Sequence, residues 1–196
     1  MAKVILRNLL AKVRQCRHCE PHLLLGANPV LSAETSARIL IIGQAPGTRV
    51  HETGVPWNDP SGDRLRHWMG LDKSVFYDAS RIAIVPMGFC YPGKGKSGDL
   101  PPRPECAPLW HDQIMNLLPE ITLTLLVGSY AQNYYLDKKH KTLTQRVSAW
   151  QEYAPRCFPL VHPSPRNTYW LQQHPWFEDE LVPALRTRVS TLLKIQ

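Results

Sequence analysis

Four short apolar runs constrain this chain more than any other feature: RILIIG (38–43), IAIVP (82–86), LTLLVG (123–128) and FPLVH (158–162). Each is brief, rich in aliphatic residues, and stops at Gly, Pro or His. Such runs read as strands buried on both faces, the habit of parallel sheets. Helical patterns separate them. Residues 3–15 place Val4, Ile5, Leu9, Leu10 and Val13 at helical spacing. Further helices are expected in SGDRLRHWMG, near 105–118, in SYAQNYYL, and as an amphipathic tail over 176–193. Strand, loop and helix recur, which predicts an α/β fold: a single-domain three-layer α/β/α sandwich over residues 1–196 with a central, mostly parallel four-stranded sheet. Ligands of such folds bind outside the carboxyl ends of the strands. The GQAPG loop, the PMGFC segment and the HPSPRN loop each follow a strand directly, so all three are expected on one sheet edge.

Composition narrows the setting. A chain of 196 residues, 43% hydrophobic, suits one domain with a sizeable core. No apolar run approaches the roughly 20 residues of a membrane span. The N-terminus, MAKVILRNLLAKVRQC, alternates basic and apolar residues without a continuous signal core, so a cytoplasmic location is expected. The net charge of +7 favours a polyanionic partner.

Five cysteines occur: Cys16, Cys19, Cys90, Cys106 and Cys157. Cys16 and Cys19 form a C-x2-C pair at the end of the first helix. Cys90 and Cys106 flank a Pro/Gly loop, 91–105, in which no side-chain packing is expected to hold the chain. Two thiolates from each place would staple that loop to the N-terminal helix. Four-thiolate ligation means zinc or an iron–sulfur cluster, and spacing alone does not separate them. Cys157 opens the last strand and reads as a buried free thiol.

Two loops carry chemistry-bearing residues. In GQAPGTRVHETGVPWNDPSGDRL (43–65), Gly43 and Gly47 allow close backbone approach to a ligand and Pro46 stiffens the turn. Trp57 offers a flat face. Asp59 is a candidate acid, but Asp-Pro-Ser-Gly is also a good turn whose Asp or Ser can cap the next helix. In VHPSPRNTYW (161–170), His162 closes a strand, and Pro163 and Pro165 prevent the sheet from continuing.

GQAPG, TGVPW-x-D-x-SG and HPSPRNTY together resemble the motifs of the uracil-DNA glycosylase superfamily. The likeness is to its iron–sulfur branches, families 4 and 5, and runs from Cys16 to Tyr169. Asp59, Ser61 and Gly62, with His162, Pro163, Ser164, Asn167 and Thr168, are similar to the family 5 motifs. Gln44 stands where family 4 has Glu, and Pro86 where it has a uracil-reading Asn, which puts strict uracil specificity in doubt.

The resemblance implies a glycosylase of base excision repair that hydrolyses the N-glycosidic bond of uracil or related deaminated or damaged bases in DNA. It implies a monomer, with Asp59 and His162 catalytic. Gly43, Gln44, Ala45, Pro46, Gly47, Trp57, Ser164, Arg166, Asn167 and Tyr169 would bind substrate. Cys16, Cys19, Cys90 and Cys106 would hold a [4Fe–4S] cluster in preference to zinc. The departures at Gln44 and Pro86 also admit a DNA-binding relative without glycosylase activity.

Overall fold

The computed structural model of the chain describes residues 1–96 and 98–195. Helix α1 (Ala2–Arg14) leads through an irregular segment into strand β1 (Ile39–Ile42). Helices α2 (Thr48–Thr53), α3 (Pro60–Met69) and α4 (Lys73–Phe76) precede β2 (Ile82–Ile84). A small hairpin, β3 (Lys94–Gly95) and β4 (Gly98–Asp99), comes before α5 (Cys106–Met115) and β5 (Leu123–Val127). Helices α6 (Ser129–Tyr135) and α7 (Leu143–Ser148) lead to β6 (Cys157–Leu160), then α8 (Thr168–Gln173) and α9 (Val182–Leu193). No helix among the described residues is long and apolar enough to cross a membrane.

The central sheet has the order β2-β1-β5-β6, and every pairing in it is parallel. Its strands are buried on both faces because alternate residues serve two cores. Ile39 and Ile41, Ile82 and Ile84, Leu123 and Leu125, and Phe158 and Leu160 point to one core, closed by Trp68 of α3, Leu171 of α8 and Leu185 and Val189 of α9. Leu40, Ile42, Ala83 and Leu126 point to the other, closed by Leu6 and Leu10 of α1, Ile114 of α5 and Ala131 of α6. The expected three layers follow from this division.

The sheet edges are protected. Ser32 exchanges backbone hydrogen bonds with Ile84 along the outer side of β2, at 3.0 and 2.7 Å. On the opposite side, β6 carries Pro159, which an edge strand tolerates.

Local structure departs from expectation in several places. Of the expected stripe of α1, Leu10 and Val13 are buried, but Val4 and Ile5 are about half exposed and Leu6 is buried in their place. Part of the expected loop over 43–65 is helix α2, which is capped by Gly54 with φ 67°. Helix α7 was hidden in a polar stretch, and a Thr142–Gln145 capping box starts it. The tail begins as a wide turn over Phe177–Leu181 before α9, where Pro183 sits in the first turn and withholds an N–H. The 91–105 segment is better packed than expected, with Tyr91 only 5% exposed and the β3–β4 hairpin within it.

Ile41 lies at the centre of this arrangement and has no exposed surface. Ile41→Ala is expected to lower unfolding free energy by about 2–5 kcal/mol, measured by denaturant titration.

Candidate active site

A cavity of about 460 Å³ opens at the carboxyl end of the sheet. Gly43 to Gly47, which come after β1, form one wall; Ile84 and Pro86, at the end of β2, form another; His162, Ser164, Arg166 and Asn167, which come after β6, form a third. Trp57, Asp59 and Ser61 enter from the start of α3. The parallel sheet thus gathers the motif loops where the strand order predicts a crevice.

The Asp-Pro-Ser-Gly turn does two jobs at once. Asp59 is the N-cap of α3, its Oδ1 accepting the Gly62 N–H at 2.8 Å, and it also lines the cavity. Capping therefore orients the carboxylate instead of excluding it from chemistry. Gly62 is there because the chain crosses itself: a Cβ at this position would lie 1.7 Å from the Trp57 carbonyl oxygen. That carbonyl is held from the other side by Arg66 Nη1 and the Tyr77 hydroxyl, each donating at 3.3 Å. The buried Arg66 is itself paired with Asp63 at 2.5 Å. This clamp offsets the strain of Trp57, whose φ of 56° lies in the left-handed region. The indole is laid against the site: its ring centroid is 5.6 Å from that of His162, and a Cβ on Gly43 would come within 2.7 Å of it.

His162 is held in a defined protonation state. Burial pushes its pKa below the usual imidazole range, against the opposing pull of the Asp59 charge. The Ser164 N–H donates to its Nδ1 at 3.2 Å. A neutral ring that accepts at Nδ1 carries its proton on Nε2, which is left as a donor. The turn behind it is braced: Asn167 Nδ2 donates to the His162 carbonyl at 2.7 Å, and Arg64 Nη1 to the Ser164 carbonyl at 3.2 Å.

Several expected ligand-binding residues line the cavity while also bracing it, and one lies outside it. The Gln44 amide donates to the Leu100 carbonyl at 3.1 Å, tying the GQAPG loop to the segment after β4. Asn167 lines the cavity, but its amide is committed to His162. Tyr169 is 72% exposed and outside the cavity. Arg166 leans towards the hairpin, its guanidinium lying over Gly98 and close enough to Asp99 to act on its charge. Asp99 itself lines the cavity, and burial with the Asp59 charge raises its pKa while Arg166 opposes. Its place in a Gly/Pro loop carried no motif that would single it out.

The four expected cysteines also come together. Cys16 and Cys19, just after α1, line a second cavity with Cys90 and Cys106, beside Leu23, Phe89 and Trp110. Burial pushes the Cys90 thiol up to about 11 and the Cys106 thiol up to about 12. The Phe89 N–H donates to Cys106 Sγ at 3.4 Å. Among the described residues, no three His, Cys, Asp or Glu side chains are gathered as ligands of one metal ion. Cys157 stands apart at the start of β6, its thiol raised to about 12 by burial.

A family model described as the uracil DNA glycosylase superfamily matches residues 30–186. The matched span contains every residue that lines the larger cavity, whereas Cys16 and Cys19 precede it.

The depressed pKa of His162 sets a sign for stability. Below about 6.5, the ordinary imidazole value, the unfolded chain takes up a proton that the folded site resists, so this residue lowers stability as pH falls towards its folded pKa. His162→Gln is expected to flatten the acid-side loss of stability, measured by denaturant titrations across that range.

Proposed function

The chain belongs to the uracil DNA glycosylase superfamily, and from that premise we propose that it removes uracil or a related deaminated or damaged base from DNA by hydrolysing the N-glycosidic bond. The observation that carries this reading is that Asp59 and His162 line one cavity within electrostatic reach of each other, with Trp57 against the imidazole. The net charge of +7 suits a phosphate backbone as partner.

The base must leave the stack to be reached. It enters the cavity walled by the 43–47 loop, Pro86 and the loop after β6, beside Trp57. As the glycosidic bond lengthens, positive charge develops on the sugar and negative charge on the departing base. His162 Nε2–H donates a hydrogen bond to the base oxygen where that negative charge collects. Because the ring is already neutral and already turned, no reorganisation is needed in the transition state. Asp59, oriented by its capping bond, positions the attacking water and offsets the cationic sugar. Arg166 and the exposed Tyr169 meet the DNA at the mouth. The prolines of HPSPRN keep that tip stiff. Pro86 leaves the β2 wall without a side-chain amide, which suits a range of bases better than uracil alone.

The chemistry of the second cavity fits a [4Fe–4S] cluster held by Cys16, Cys19, Cys90 and Cys106, as in the iron–sulfur branches and family 5 in particular. The four thiols line one cavity, and four-thiolate ligation serves both structural zinc and iron–sulfur clusters. The likeness of the cysteine spacing and motif loops to the iron–sulfur branches favours the cluster. When bound, the cluster supplies four covalent tethers between the end of α1 and the segment that carries the hairpin. Burial raises the Cys19 and Cys90 thiols, and Arg103 and Arg17 respectively oppose that rise.

Duplexes carrying uracil, hypoxanthine, xanthine or ethenocytosine test the activity. Alkali-labile abasic sites are expected on at least one of them, and binding without such sites indicates a DNA-binding protein instead. On the preferred duplex, Asp59→Asn is expected to slow excision at least about tenfold with folding intact; the full roughly 3–4 kcal/mol typical of such groups would be about a hundred- to thousandfold. Protein purified without oxygen is expected to be brown, with about four irons per chain by elemental analysis. A colourless protein loaded with zinc contradicts the cluster.

A further inference from the structure

His111 is fully buried in α5, outside the larger cavity, yet both its ring nitrogens are engaged. Nε2 lies 3.0 Å from the Pro86 carbonyl oxygen and Nδ1 lies 2.5 Å from the Tyr135 hydroxyl. A carbonyl only accepts, so Nε2 carries the proton and Nδ1 accepts from Tyr135. The Phe89 and Tyr135 rings lie nearly parallel to the imidazole, at centroid separations of 5.7 and 6.0 Å. Burial also lowers its pKa, which keeps the imidazole neutral and this tautomer in place.

The carbonyl it holds belongs to a wall of the cavity. Beyond the end of β2, the Met87 N–H donates to the Gly43 carbonyl and the Gly88 N–H to the Gln44 carbonyl, each at 2.9 Å. The 86–88 segment is therefore the rail on which the GQAPG loop rests. A polar contact chain runs from Tyr135 through His111 to Pro86, and from Met87 and Gly88 to Gly43 and Gln44.

We propose that His111, with Tyr135 as its orienting partner, is a positioning residue for base excision: by holding the Pro86 carbonyl it sets the height of the GQAPG loop over the base. The catalytic half of this proposal rests on the glycosylase reading. The structural half does not. Loss of the Nε2 donor leaves a buried carbonyl unpaired, and the rail is then free to shift away from α5. A displacement of about 1 Å at a reacting centre is enough to cost up to about a hundredfold in rate.

The test compares the full-length wild type with H111F, H111Q and Y135F. Phenylalanine fills the ring volume without a donor; glutamine can place its amide nitrogen near the position of Nε2. Two readouts are needed: hydrogen exchange at the Met87 and Gly88 amides, and single-turnover excision alongside affinity for an abasic duplex. H111F is expected to speed exchange at those two amides at least about tenfold. It is expected to slow excision about ten- to hundredfold. Affinity, set mainly by phosphate contacts, stays within about twofold. H111Q restores most of the protection and rate. Y135F shifts both in the direction of H111F by a smaller factor, and it decides the matter if H111F does not fold. Wild-type exchange at Met87 and Gly88 in H111F, or in Y135F where H111F is unfolded, overturns the proposal. So does failure of H111Q to recover when it folds. If the wild type excises no base at all, the glycosylase reading fails, while the exchange comparison still decides whether His111 supports the loop.

Discussion

Parallel pairing of β1 with both β2 and β5 is the constraint on which the rest of this structure depends. It puts the carboxyl ends of the central strands at the same edge. Much of the larger cavity's wall then comes from residues placed just after β1, β2 and β6, with Trp57 and Asp59 joining from the start of α3. Gly43 succeeds β1, Pro86 lies just past β2 and His162 just past β6, and their loops meet around one space. The ladder continues one step past the strands: the Val85 N–H donates to Ile41 and the Met87 N–H to Gly43, and Gly88 then adds a bond to Gln44 outside the ladder's alternation. The cavity wall is an extension of the sheet, and inherits its rigidity.

Within that frame, positions are set by backbone groups more than by side-chain pairs. The Asp59 carboxylate is aimed by an amide of the helix it caps, the His162 ring by the Ser164 amide, and Trp57 by a carbonyl caught between Gly62, Arg66 and Tyr77. Such an arrangement is organised before any ligand arrives, which is what stabilising a charge-separated transition state requires. The same economy joins the two cavities. Pro86 lines the larger one, and Phe89 and Cys90 line the smaller, so one short segment after β2 serves both.

Much of this was legible in the sequence, and the reasons are physical. Buried strands need unbroken apolar runs, so β1, β2, β5 and β6 stood out. A cap and a catalytic acid draw on the same residue types, so the choice at Asp59 looked exclusive until the geometry showed the capping carboxylate also lining the cavity. The Gln44 amide, by contrast, points to a carbonyl 56 residues away, a contact that no local pattern encodes. Asp99 and His111 were missed for the same reason: their neighbours come from distant loops, and neither sits in a motif. Helix α7 was missed because its polar stretch gives a weak apolar stripe, and only its capping box marks the start. Tyr169 belongs to a motif but falls on the outer face of α8, exposed beyond the cavity mouth.

The central claim is that a base turned out of DNA occupies the space shared by Asp59, Trp57 and His162. A crystal structure with a duplex carrying a 2′-fluoro, uncleavable analogue of the best substrate tests it most directly. The account predicts the base stacked near Trp57, an oxygen of that base within hydrogen-bond distance of His162 Nε2, and the Asp59 carboxylate on the side of the sugar. A base still stacked in the duplex, or seated elsewhere with this cavity holding only solvent, would contradict it.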